Sequence, residues 1–169
     1  HNGEINTLKG NVNWMRSHEI RMASSAFGDK ADDIKPIIPA GASDSSALDS
    51  VFEVLVRAGR DAPMAKTMMV PEAWSQQAVE MKKRWQDMYG YCNAVMEPWD
   101  GPAALAMTDG RWVCGGLDRN GLRPLRYVVT GDGLLVAGSE VGMVPIDEAT
   151  VVEKGALGPG QMIAVDMVE

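Results

Sequence analysis

Apolar residues recur at helical spacing through the first half of the chain. In NTLKGNVNWMRSHEI, Leu8, Val12 and Met15 fall at i, i+4 and i+7, which predicts a helix capped by Asn6 or Thr7 and weakened by Gly10. A polar, proline-containing loop follows. In SDSSALDSVFEVLVRAGRD, the stripe Leu48, Val51, Phe52, Leu55 and Val56 predicts a second helix, started by Ser43 or Asp44 and stopped by Gly59. A third is expected to start after Pro71 and close at Gly90, with Ala78, Met81, Trp85 and Met88 on one face.

Beyond residue 100 the pattern changes. AALAMTDGRWVCGGL is two apolar runs joined by Asp109-Gly110, a hairpin signature, and LRYVVTGDGLLVAGSE repeats it around Gly131-Asp132-Gly133. TVVEKGALGPGQMIAVDMVE reads as a last hairpin with a longer Gly/Pro loop. These runs are nearly continuous rather than alternating, so they predict antiparallel strands covered on most of both faces. Helices first and strands afterwards make the class α+β. At the front, His1-Asn2-Gly3 carries an Asn-Gly pair that reads as a tight turn ending a strand that precedes it. The five tryptophans Trp14, Trp74, Trp85, Trp99 and Trp112 are assigned to the core and to covering the sheet.

Composition narrows the function classes. The net charge of -7 offers no electrostatic basis for binding nucleic acid or an anionic membrane. No apolar run approaches the roughly 20 residues needed to span a bilayer. Two cysteines make no disulfide framework and fit a reducing compartment such as the cytoplasm, with a plastid as the other setting. No His, Cys or carboxylate cluster has metal-ligand spacing. Nucleophilic chemistry would need Cys92 or Cys114 beside a base such as His1 or His18. Both cysteines read instead as structural, with Cys114 inside a strand. His18 reads as solvated, and Asp32-Asp33 as a solvated loop pair. GGLDRNGLRP lacks a phosphate-cradle pattern and reads as a strand-connecting loop.

Six strings then stand in one order: HNGEINTLKGNVNWM, SDSSALDSVFE, VPEAW, EPWDGPAA, GGLDRNGLRPLRY and GSEVGMVP. Together they resemble the class II glutamine amidotransferase domain of glutamate synthase large subunits. The resemblance covers nearly the whole chain. It implies an N-terminal-nucleophile hydrolase fold, a four-layer αββα sandwich with two antiparallel sheets. It also implies hydrolysis of L-glutamine by an amino-terminal cysteine, with the released ammonia channelled to 2-oxoglutarate. On this resemblance Asn2 and Gly3 form the oxyanion hole, and Asp44 binds the α-ammonium of the substrate. Asp49 is the alternative acid, and Arg119 and Arg123 are structural.

No cofactor is expected in residues 1–169. FMN and an iron–sulfur cluster belong to the rest of the parent subunit, and a small reductase subunit is expected if the enzyme is of the bacterial NADPH type. Residue 1 is histidine, so the nucleophile is expected upstream. Residues 1–169 would then be the C-terminal portion of the domain, inactive alone and with open sheet edges prone to self-association. Two other readings stand beside this one: a non-catalytic interaction domain, and the glutaminase domain of another class II amidotransferase.

Overall fold

A computed structural model describes residues 1–22, 25–74 and 81–168. The elements are β1 (Asn2–Gly3), α1 (Leu8–Glu19), α2 (Asp44–Arg57), α3 (Ala62–Met69), α4 (Lys83–Val95), β2 (Ala103–Thr108), β3 (Trp112–Leu117), β4 (Arg126–Thr130), β5 (Leu135–Gly138), β6 (Val151–Ala156) and β7 (Met162–Asp166). The class is α+β, and both sheets are antiparallel. One sheet has the order β1-β2-β3-β7 and the other β5-β4-β6.

The helix starts follow side-chain chemistry. Thr7 takes the N-cap position of α1, where its hydroxyl donates to Asn11 Oδ1 at 2.6 Å rather than capping a backbone N–H. Ser43 caps α2, accepting from Ser46 N at 3.2 Å, so Asp44 is left for other partners. Asp61 caps α3 through Met64 N at 2.8 Å, and a proline sits in the first turn, where its missing N–H costs nothing.

One face of the larger sheet is the floor of the core. Ala103, Leu105 and Met107 alternate inward along β2, and Cys114 faces Met107 across the β2–β3 ladder. Leu48 and Val51 from α2, Met68 and Met69 from α3, and Ile5 and Trp99 belong to the same buried cluster. Each such aliphatic side chain contributes about 1.5–3 kcal/mol by leaving water.

Several sequence-based expectations need correction. Asn2-Gly3 is not a turn but a two-residue strand, with Asn2 opposite Ala104 and Gly3 opposite Ala103. Residues 71–73 are not helical, α4 starts at Lys83, and Gly90 lies inside it. Ala78 of the predicted third helix lies outside the described residues. Residues 151–166 do not form a hairpin: β6 pairs with β4 while β7 pairs with β3. The segment Leu157–Gln161 carries the chain from one sheet to the other, and Lys66 of α3 holds it by donating to Gly160 O at 3.0 Å.

The strands are not covered on both faces either. β2 alternates buried and exposed positions, and most of β6 is exposed, with Val152 at 68%. Apolar strand residues here mark one covered face rather than two. Among the tryptophans, Trp99 is buried, but Trp14 and Trp85 are 54% and 44% exposed. Arg84 stacks on the Trp85 ring at 4.8 Å, so that indole is covered by a cation rather than by the sheet.

Candidate functional site

Two glycines let two chain segments cross closely at the edge of the larger sheet. Gly3 has φ +150°, and a Cβ there would lie 1.8 Å from Pro102 O; Gly101 has φ +146°, and its Cβ would lie 2.0 Å from Glu4 O. Only glycine serves at either position. The crossing is fixed by Glu4 N donating to Pro102 O at 2.9 Å and Asn6 N donating to Asp100 O at 2.7 Å. N–H groups alternate direction along an antiparallel strand. Because Glu4 N points at the 100–104 segment, the N–H of Gly3 points the other way, to the open edge of the sheet. The side chain of Asn2 is exposed beside it.

This crossing is braced from two sides. Asp118 is 1% exposed, and its carboxylate accepts from Ala103 N at 3.0 Å, Asn120 N at 2.9 Å and Gly121 N at 3.2 Å. Arg119 forms an ion pair with Asp100. On the other side, Thr7 Oγ1 accepts from Asp100 N at 3.0 Å and Asn11 Nδ2 donates to Pro98 O at 3.2 Å. Sequence reasoning placed Asp118 and the arginines in a structural loop. Asp118 and Arg119 do tie the loop to the 100–103 segment, whereas Arg123 is exposed.

Asp44 comes to this edge from the first turn of α2. Its Oδ2 accepts from Ile5 N at 2.9 Å, three residues beyond Asn2. Its Oδ1 has no hydrogen-bond partner among the described residues, and the side chain keeps 24% exposure. One oxygen is therefore spent on holding the strand and the other is open. Asp49, one turn further on, is exposed and lines a cavity of about 370 Å³ between α2 and the open edge of β2. Leu48, Phe52, Leu105 and Met107 also line it, as does His1, but Asp44 does not.

His1 is the residue whose position the sequence did not foretell. Its side chain is 1% exposed. Nε2 lies 3.1 Å from Ser45 Oγ and 3.5 Å from Asp44 Oδ2. Nδ1 is buried without a hydrogen-bond partner among the described residues. The other candidates lie elsewhere. Cys92 is fully buried, and Cys114 is 2% exposed with burial pushing its thiol up to about 11; neither pairs with a histidine among the described residues. His18 is not free in solvent: Nε2 sits 2.7 Å from Glu97 Oε2. Asp32 pairs with Lys35 at the surface.

Among the described residues no three His, Cys, Asp or Glu side chains converge on a common point. No helix there is long and apolar enough to cross a membrane. With two cysteines, both buried and one in each of α4 and β3, the chain does not fit an iron–sulfur cluster.

Comparison with known proteins agrees with the motifs. The profile of class II glutamine amidotransferases matches residues 1–169. The large chain of NADPH glutamate synthase from Azospirillum brasilense is 64% identical over 99% of this chain and 11% of its own length. The corresponding Bacillus subtilis large chain is 46% identical over 100% of this chain and 11% of its own. A chloroplastic ferredoxin-dependent glutamate synthase of Arabidopsis thaliana is 48% identical over 99% of this chain and 10% of its own. The chain thus spans about a tenth of the length of these relatives. A profile match from end to end, on an α+β fold of antiparallel sheets, shows that the chain belongs to the class II glutamine amidotransferases.

Proposed function

We propose that residues 1–169 form the oxyanion-binding and ammonium-binding side of the glutaminase site of a glutamate synthase. The observation that carries this reading is the Ile5 N to Asp44 Oδ2 hydrogen bond at 2.9 Å. It ties the strand bearing Asn2 and Gly3 to a carboxylate whose second oxygen is open.

The chemistry follows from the donor set. A thiolate attacks the side-chain amide carbon of L-glutamine, and the carbonyl oxygen becomes an anion. The Gly3 N–H on the open strand edge and the amide N–H of Asn2 donate to that oxygen. In a site shielded from water, such fixed donors lower the barrier because they need no reorganisation. Asp44 Oδ1 accepts from the substrate's α-ammonium, which distinguishes an amino acid amide from a simple amide. The intermediate collapses with the nitrogen protonated, ammonia leaves, and a γ-glutamyl thioester remains. Water then releases glutamate and returns the thiol.

The thiol is not supplied by Cys92 or Cys114, since burial raises both thiol pKa values and keeps both out of reach. The nucleophile therefore comes from outside residues 1–169, and the 169-residue chain by itself releases no glutamate. The ammonia passes to 2-oxoglutarate within the rest of the polypeptide. FMN and an iron–sulfur cluster reside there, and a small reductase subunit completes the enzyme if NADPH is the donor. A reducing compartment, cytoplasm or plastid, is the setting. The named relatives favour glutamate synthase over other class II amidotransferases.

The test is kinetic, on the complete polypeptide that carries this domain. Asn2→Ala is expected to lower the kcat for glutamine hydrolysis about 10²–10³-fold with little change in KM. Asp44→Asn is expected chiefly to raise KM. An Asn2→Ala enzyme with kcat within threefold of the parent refutes the oxyanion assignment.

A further inference from the structure

We propose that His1 is a positioning residue for the glutaminase site: its buried imidazole sets the orientation of Asp44, so that Oδ1 is presented to the substrate's ammonium. The inference rests on the reading of Asp44 as the ammonium contact and extends it to a residue with no assigned role.

Three observations carry it. First, Asp44 Oδ2 has two neighbours that fix it, Ile5 N at 2.9 Å and His1 Nε2 at 3.5 Å. They approach from the same short segment, so both contacts fall on Oδ2 and neither falls on Oδ1. Second, Ser45 Oγ lies 3.1 Å from the same Nε2. The ring is thereby held to the first turn of α2 through two consecutive residues. Third, the imidazole is 1% exposed, yet Nδ1 has no partner among the described residues. An unsatisfied buried polar atom is destabilising. The cavity it lines is mixed, with Leu48, Phe52 and Leu105 beside Asp49, Glu53, Arg57 and Asp109. The nitrogen that earns its place is Nε2, and what it faces is the α2 carboxylate and hydroxyl.

The charged and titratable groups around the ring are few. Asp44 approaches Nε2, Asp49 and Glu53 line the cavity from α2, and Asp109 and Arg57 close its far end. Asp44 is the only carboxylate within 4 Å of an imidazole nitrogen among the described residues.

The experiment compares two substrates on the complete polypeptide. One is L-glutamine; the other is glutaramate, the same chain with hydrogen in place of the α-ammonium. His1→Leu preserves bulk and removes Nε2, whereas His1→Gln returns an amide nitrogen at a similar reach. For His1→Leu, KM for glutamine is expected to rise about tenfold with kcat within threefold, as for a loosened charge-assisted contact. Hydrolysis of glutaramate should be unchanged, and His1→Gln should recover most of the glutamine KM.

A loss that falls equally on both substrates would mean that His1 only supports the fold and would overturn the proposal. So would an unchanged KM in His1→Leu. Asp44→Asn separates the role of His1 from that of Asp44 itself. If it abolishes the preference for glutamine over glutaramate while His1→Leu does not, the role of His1 fails and that of Asp44 stands. If Asp44→Asn leaves the preference intact, the ammonium contact itself is wrong and the inference about His1 falls with it.

Discussion

Lys66 offers a quantitative test of how this domain is held together. It is 2% exposed, on the face of α3 that meets β3, and its ammonium donates to Gly160 O at 3.0 Å. Burial lowers its pKa from 10.5 to about 8, and the nearby Glu72 and Asp118 only partly offset this. The folded state therefore sheds a proton near pH 8 that the unfolded chain keeps until about pH 10.5. Below pH 8 the protein carries the full cost of the buried charge. As pH rises between those values, the unfolded state binds more protons and stability climbs by up to about 1.4 kcal/mol per pH unit.

Replacing Lys66 with Met removes this titration while keeping most of the volume. Urea unfolding of the parent and the Lys66→Met variant, followed by tryptophan fluorescence at dilute protein, measures the difference. The parent's stability relative to the variant is expected to increase by about 2.5 kcal/mol from pH 7 to pH 10. Tyr89, pushed up to about 12 by burial and by Glu72, is common to both proteins, and pH 10 is a suitable upper limit. A difference that is flat with pH, or that falls, would show that the ammonium is solvated and that the Leu157–Gln161 crossover is not anchored as described.

Asp118→Ala should destabilise the domain by about 3 kcal/mol, since three backbone N–H groups lose their acceptor, and urea midpoints would report it. Gly3→Ala places a Cβ 1.8 Å from Pro102 O, so the strand edge must move; glutaminase kcat of the complete polypeptide is expected to fall at least about 10²-fold. Ser43→Ala removes only the α2 cap and should cost about 1 kcal/mol without changing the preference for glutamine over glutaramate. Replacing Cys92 and Cys114 with Ala together should leave kcat for glutamine hydrolysis within threefold, and a loss of more than tenfold would return one of them to the chemistry.

What could be read from the sequence followed local rules. Asp109-Gly110 forecast the β2–β3 hairpin, and Asp109 shows why: its Oδ1 accepts from both Arg111 N and Trp112 N across the turn. The stripe from Leu48 to Val56 forecast α2. The failures lie where distant segments decide. Asn2-Gly3 has turn chemistry, but its glycine is used for a close crossing with Gly101, ninety-eight positions away in sequence and invisible to any local window. Val151–Asp166 looks like a hairpin until Lys66 and the Leu157–Gln161 segment show that each strand joins a different sheet. α3 was missed although Asp61 followed by Pro63 is a helix-start signal, because the apolar pattern of APMAKTMM is too short to reveal a period.

The site was legible in kind but not in its division of labour. Ser43 and Asp44 were interchangeable as caps from sequence, and only the Ser46 N to Ser43 contact leaves the Asp44 carboxylate available. His1 was visible only as a base in search of a nucleophile. Its seat against α2 depends on forty-odd intervening residues folding back, which no spacing rule supplies.

The most direct measurement is a crystal structure of the complete polypeptide after reaction with a glutamine-shaped diazoketone, which alkylates the catalytic thiol and leaves a carbonyl in place of the substrate amide. The oxyanion assignment predicts the ketone oxygen within about 2.7–3.1 Å of Gly3 N and Asn2 Nδ2, with the α-ammonium on Asp44 Oδ1. An oxygen turned away from both donors, or an ammonium seated on Asp49, would contradict it.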